Sequence, residues 1–209
     1  MNTLDYMIKK YNINPNGKLP IEIPNAGKDE LARILHELNF KTGAEIGVAA
    51  GDNLKILCEI NPQMKIYGVD AWKTYDNYHT VYSVRKLDLF YEQAKKQLAP
   101  FSNCEIIREF SMDAIKRFED NSLDFVYIDA NHENPHVTED IVEWSKKVKP
   151  GGIVSGHDYY NGGKKFNVIE ATHKYTKENN IKPWFVLGLS EKIPGLVRDS
   201  SRSWFWVKP

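Results

Sequence analysis

The 209-residue chain carries 28 Lys+Arg against 28 Asp+Glu, a formal net charge of zero, with 42% apolar and 27% charged residues. That composition predicts one globular domain of roughly 200 residues with a core large enough to need no staples. It speaks against nucleic-acid binding through a broad basic surface, and no run approaches the ~18 apolar residues that a membrane span needs. Met1 to Tyr11 lacks an apolar signal-peptide core, and Cys58 and Cys104 have no CxxC spacing, so a reduced, cytoplasmic setting is expected.

In chain order, residues 1–27 hold Pro15, Gly17, Pro20, Pro24 and Gly27 and read as an N-terminal extension too punctuated for a long helix, a lid or an oligomer contact. From Lys28, Leu31, Ile34, Leu35 and Leu38 recur at helical spacing. Ala44 to Val48 reads as a strand, followed by a helix around Asn53 to Glu59, a strand from Lys65 to Asp70, and a helix carrying Val84, Leu87, Tyr91, Ala94 and Leu98. Further strands are expected at Glu105 to Arg108, Leu123 to Asp129 and Gly152 to Gly156, with helices between them. After a helix near Phe166 to Lys177, Trp184 to Leu187 and Trp204 to Val207 form two aromatic strands with no helix between, an antiparallel pair expected at one edge. Alternating strands and helices predict an α/β domain over residues 28–209, a doubly wound and mostly parallel seven-stranded sheet.

Ligands of such sheets sit outside the carboxyl ends of the strands. Gly47 and Gly51, in Glu45-Ile-Gly-Val-Ala-Ala-Gly51, suit close backbone approach or a simple tight turn. Ala49 stands where a dinucleotide loop needs its second glycine, and Asp52 at the start of the next helix would repel a diphosphate, so the loop suits a nucleoside without phosphates. Asp70 closes the second strand, placed to accept ribose hydroxyls or to sit in a solvated turn. Asp113 follows the third strand, either accepting from an adenine amino group or capping a helix that begins at Ala114.

Taken together, Glu45-x-Gly47-x-x-x-Gly51, Gly68-Val-Asp70, Ser111-Met-Asp113 and Phe125-Val-Tyr-Ile-Asp129 resemble the class I S-adenosylmethionine-dependent methyltransferases, over roughly residues 30–209. The resemblance implies a Rossmann-like fold. It places Glu45 and Gly47 beside the methionine moiety, with Gly51 ending the loop. Asp70 would hold the ribose, with Ala71 and Trp72 next to it. Met112 and Asp113 would hold the adenine, and Asp129 would close the pocket. The run from Asp129 through Lys149-Pro-Gly-Gly152 to His157-Asp158-Tyr159 resembles the small bacterial O-methyltransferases related to macrocin and cephalosporin-pathway enzymes, many of which use Mg²⁺.

On adjacent strands Asp129, His157 and Asp158 can converge on a divalent ion, Mg²⁺ or Mn²⁺. His132 is the candidate general base, or a histidine bonded to backbone at a helix entry. The expected reaction is metal-assisted methylation of a hydroxyl on a small molecule or glycan, with Asp129 and His132 catalytic. A module that binds the cofactor without transfer is the alternative. Tyr75, Tyr78, His79 and Tyr82, and Tyr159, Tyr160 and Asn161 with Gly162-Gly163 beyond, line an acceptor pocket or pack a lid. His132-Glu-Asn-Pro-His136 fits the HExxH zinc-peptidase pattern, but that motif needs one continuous helix, and Pro135 falls inside it, with Asn134 the better cap.

Overall fold

The computed structural model describes residues 2–74, 84–163 and 166–209. Its elements are α1 (Thr3–Tyr11), β1 (Ile21–Ile23), α2 (Lys28–Glu37), β2 (Thr42–Ile46), α3 (Asp52–Ile60), β3 (Lys65–Val69), α4 (Val84–Leu98), β4 (Cys104–Ile107), α5 (Ser111–Ala114), β5 (Leu123–Ile128), α6 (His136–Lys147), β6 (Val148–Gly156), α7 (Val168–Glu178), β7 (Phe185–Leu187) and β8 (Trp204–Val207). The strands form one sheet in the order β1-β7-β8-β6-β5-β2-β3-β4. β8 runs antiparallel to both β6 and β7, and every other pair is parallel.

Side-chain alternation along the strands explains why both faces are buried. Val126 and Ile128 of β5 enter the core on one face, together with Trp204 and Trp206 of β8. Phe125 and Tyr127 enter the core on the other, with Phe185 and Phe205. A strand sends successive residues to opposite faces, so the unbroken apolar run from Phe125 to Ile128 must be covered on both sides. The Phe185 and Phe205 rings, directly opposite each other on β7 and β8, stack at 5.0 Å across the pair, and the Trp204 and Trp206 rings stack at 5.1 Å along β8.

Two details differ from the sequence-based expectation. The sheet has eight strands rather than seven, because Ile21–Ile23 pairs with β7 in parallel. The antiparallel pair is therefore not at an edge, since β1 covers β7. A three-residue strand between prolines has no periodicity to betray it. Earlier in the N-terminal segment, Thr3–Tyr11 folds as a nine-residue helix, capped at Asn2, whose side chain accepts from Asp5 N, and ended by Asn12 at φ 49°. Thr3 Oγ1 donates to the Gly151 carbonyl at 2.6 Å, tying α1 to the first half of β6.

Asp124 fixes the opposite end of the sheet from the ligand side. Although only 3% exposed, its carboxylate accepts from Lys41 N (2.7 Å) and Thr42 N (2.9 Å) and meets Lys149 Nζ at 2.5 Å. Three segments, leading into β2, β5 and β6, are thereby set in common register. Their carboxyl ends then finish level with one another. No helix among the described residues is long and apolar enough to cross a membrane.

Candidate active site

The site is built where β2, β3, β5 and β6 end. Gly47, at φ 93°, takes a conformation that side chains resist, and a Cβ there would lie 2.0 Å from the Asp129 carbonyl oxygen. Its close approach is thus to the chain leaving β5, which packs the two loops against each other. Gly51, at φ 92°, is the residue from which α3 starts, where a Cβ would press on Ala94 of α4 at 3.2 Å.

Glu45 is 1% exposed. Its Oε1 accepts from Asn53 Nδ2 at 3.1 Å, while Oε2 is buried with no partner. Burial pushes the carboxyl well above its ordinary value, against the pull of the Asn53 hydrogen bond. A buried carboxylate oxygen without a donor is costly unless something else binds it.

Asp70 lies just past β3 and is engaged by backbone. Its Oδ2 accepts from Val48 N (3.0 Å) and Ala49 N (2.9 Å), and its Oδ1 from Trp72 N (2.7 Å). Burial nevertheless raises its pKa, outweighing these donors. Ala71 is nearly buried at the same turn. The Trp72 ring is 2% exposed, donates Nε1–H to the Ala49 carbonyl at 2.8 Å and packs on Tyr91 with centroids 4.8 Å apart. It forms the floor beneath the glycine loop.

Beyond β4, the short helix begins at Ser111 rather than Ala114, so Asp113 is inside its turn and caps nothing. Asp113 is exposed and paired with Lys116 Nζ at 2.8 Å, and Met112 packs partly against the core. Behind this turn, Ser111 Oγ accepts from Trp144 Nε1 at 2.7 Å and donates to Asp140, which is 3% exposed. Burial carries the Asp140 carboxyl to about 7 despite that hydrogen bond.

Past β5 and β6 four side chains meet. His132 Nε2 lies 2.9 Å from Asp158 Oδ2 and 3.3 Å from Asp129 Oδ1. His157 Nδ1 lies 3.4 Å from Asp129 Oδ2 and 3.4 Å from Asp158 Oδ1. Ligand atoms of Asp129, His132 and Asp158 all fall within 4.8 Å of one another. The three-residue set therefore takes His132, where sequence spacing suggested His157, and His157 flanks it. Burial opposes ionisation of Asp129, but hydrogen bonds from His132 and His157 win and hold it at about 2. Burial likewise opposes the His132 imidazolium, yet the hydrogen bonds to Asp129 and Asp158 carry it to about 9.

The loop after β5 is stitched to the loop after β6. Asn167 N donates to the His132 carbonyl at 2.8 Å, Asn134 N donates to Asn167 Oδ1 at 3.1 Å, and the Phe166 ring lies 4.8 Å from the His132 ring. Asn131, 4% exposed, accepts from Glu133 N at 2.9 Å and leaves its buried Nδ2 unpartnered. Sequence reading passed over Asn131 and Asp140. The latter was visible as a carboxylate on the apolar face shared by Val137, Ile141 and Trp144.

Residues 132–135 are not helical, and α6 begins at His136 after Pro135, with Asn134 Oδ1 accepting from Thr138 Oγ1 at 2.6 Å. The two histidines of the HExxH pattern do not share a helix. Of the acceptor-pocket residues, Tyr159 is buried, with its hydroxyl 2.7 Å from His173 Nε2, and Tyr160 is exposed beside Phe166. Tyr75, Tyr78, His79 and Tyr82 lie outside the described residues.

Comparison with known proteins bears on this edge. The family model described as a methyltransferase domain matches residues 44–159, more than half of the chain. Among solved structures, the O-methyltransferase TomG from Streptomyces achromogenes, in complex with SAM, has a TM-score of 0.62 at 15% identity, over 87% of this chain and 79% of that one. An O-methyltransferase from Bacillus cereus in complex with SAH scores 0.59 at 12% identity, over 99% of this chain and 87% of that one. Spermidine synthase from Thermotoga maritima scores 0.58 at 15% identity, over 87% of this chain and 59% of that one, so the shared architecture does not by itself fix the reaction. No curated protein matches the sequence. The matched segment runs from β2 through the end of β6 and so contains Glu45, Asp70 and the Asp129–Asp158 edge; the chain belongs to the class I S-adenosylmethionine-dependent methyltransferase family.

Proposed function

We propose that this methyltransferase acts on a hydroxyl oxygen of a small-molecule or sugar acceptor, assisted by a divalent cation held between β5 and β6. The observation that carries the proposal is the convergence of Asp129, His132 and Asp158 within 4.8 Å at the ends of adjacent parallel strands. Two carboxylates and an imidazole are a donor set suited to Mg²⁺ or Mn²⁺.

The residues present also fit the methyl donor. The unpartnered, buried Glu45 Oε2 suits the ammonium of a methionine moiety, and Asp70, Met112 and Asp113 stand at successive strand ends where the nucleoside would lie. S-adenosylmethionine supplies a methyl group on a sulfonium, already activated for transfer. A cation held by Asp129, His132 and Asp158 would supply Lewis acidity that lowers the pKa of the acceptor hydroxyl. The chain's own part is positional. Asp129 and Asp158 orient the acceptor oxygen, and the loop junction at Gly47 holds that oxygen's seat against the cofactor loop, where near-attack geometry accounts for much of the rate. His132 completes the ligand set, and His157, 3.4 Å from both carboxylates, is then the group placed to take the hydroxyl proton.

A second reading has its own observation. Each carboxylate oxygen of Asp129 and Asp158 already faces an imidazole nitrogen, a closed ring of four contacts that needs no cation. In that case His132 and His157 act without metal.

Calorimetric titration with S-adenosylhomocysteine, in Mg²⁺ and in chelator, tests both levels. Micromolar binding in both conditions is expected, weakened at least tenfold by Glu45→Gln; absence of binding would remove the cofactor assignment. Transfer to hydroxylated acceptors should then stop in chelator and return with Mg²⁺. Full turnover in chelator would select the metal-free reading. The small acceptor and the cytoplasmic setting, consistent with two free cysteines, belong to this proposal.

A further inference from the structure

We infer that the loop from Leu189 to Arg198 is the seat for the tail of an elongated acceptor, one with an apolar body and an anionic end. The inference rests on the transferase reading above and adds the substrate class to it.

The topology puts this loop on the reacting side. β7 and β1 run parallel to β6, while β8 runs back between β6 and β7, so residues 188–203 leave and rejoin the sheet at the same carboxyl edge as Asp129 and Asp158. A cavity of about 420 Å³ opens there, lined by Asn25, Leu189, Ile193, Leu196, Val197 and Arg198 among others. That volume lies in the ordinary range for small-molecule sites.

Its apolar lining is exposed without an intramolecular reason. Ile193 (42%), Leu196 (39%) and Val197 (57%), with Tyr160 (40%) beside the reacting cluster, are four of the six large hydrophobic residues exposed among the described ones. Clustered apolar exposure marks a surface that something covers. The loop is also pinned. Val197 N donates to Asn25 Oδ1 at 2.9 Å, Arg198 Nε donates to the Leu189 carbonyl at 2.6 Å, and Asp199 accepts from Lys28 N at 2.6 Å. The apolar side chains are thus presented from a fixed frame.

Charge selects the other half of the ligand. Lys192 and Arg198 line the cavity against one carboxylate, Glu191, and among the described residues neither cation is in an ion pair. Distance sets the length. β7 is two strands from β6, roughly 10 Å at the usual strand spacing. A single molecule that joined a hydroxyl beside Asp158 to an anion at the loop would be about 10–15 Å long.

The test uses 6-phenylhexanoate and its neutral amide as probes, titrated into the full chain with S-adenosylhomocysteine present. Saturable one-to-one binding of the carboxylate is expected, with the amide at least fivefold weaker. Val197→Asp and Lys192→Glu, both at exposed positions, should each weaken the carboxylate at least tenfold and leave S-adenosylhomocysteine affinity unchanged. No saturable binding, or binding indifferent to both variants, overturns the seat. So does a protein that self-associates through this loop, with dimerisation lost in Val197→Asp. Failure of S-adenosylhomocysteine itself to bind sinks the transferase reading separately, since it is read on the same samples without the probes.

Discussion

Asp140 shows what a single buried carboxyl does to this molecule. Folding raises it from 3.8 to about 7, because burial outweighs the one hydrogen bond from Ser111. The folded chain therefore keeps a proton that the unfolded chain releases. Stability from this group is fully present below about pH 4, falls as pH rises towards about 7, and is constant beyond that. Asp140→Asn keeps an acceptor for Ser111 and cannot ionise. Thermal melts should show the variant above the parent at pH 8, with each kcal/mol worth roughly 2–4 °C in a chain of this size, and converging with it near pH 4. A parent Tm that does not decline across that window would contradict the assignment.

Elements in this fold are set in register by side chains as much as by ladders. Asp124 alone accepts from the two backbone N–H groups that lead into β2 and from Lys149 at the start of β6. Asp124→Ala strands those donors and should cost about 3 kcal/mol or more, since breaking a buried pair leaves the partner uncompensated. Urea denaturation checks this, and Asp124→Asn should recover part of the loss. The helices and central strands were legible because their cue is local: Leu31, Ile34 and Leu35 repeat at helical spacing, and Phe125 to Ile128 is an apolar run between Asp124 and Asp129. β1 was not legible, because what makes Ile21–Ile23 a strand is β7, more than 160 residues away. The site divides in the same way. Asp129 and Asp158 could be placed from strand ends alone, whereas the exchange of His132 for His157 depended on how two loops fold back, which spacing does not encode.

At the scale of the whole molecule, the N-terminal segment contributes Ile21–Ile23 to the sheet. Ile21 N donates to the Trp184 carbonyl at 2.9 Å and Gly188 N to the Ile23 carbonyl at 2.8 Å, so β1 covers the outer side of β7. Deleting residues 1–27 would bare that edge beside the buried Phe185 and Leu187. An open edge is a template for pairing with other chains. The truncated protein should melt several degrees lower and scatter light increasingly with concentration, and a truncation that stays monomeric with an unchanged Tm would show β1 to be dispensable.

The reversal of β8 has a consequence for descent as well as for packing. Because the connection from β7 to β8 begins and ends at one edge, its length can drift with little effect on strand order. Doubling a flexible loop costs only about 0.6 kcal/mol of closure entropy. Reaction and taste are therefore separable in this architecture. Duplicated copies can keep the residues between Glu45 and Asp158, and the strand partners Gly188, Arg202 and Ser203, while side chains of the loop between Leu189 and Arg198, which lies outside every strand, are rewritten.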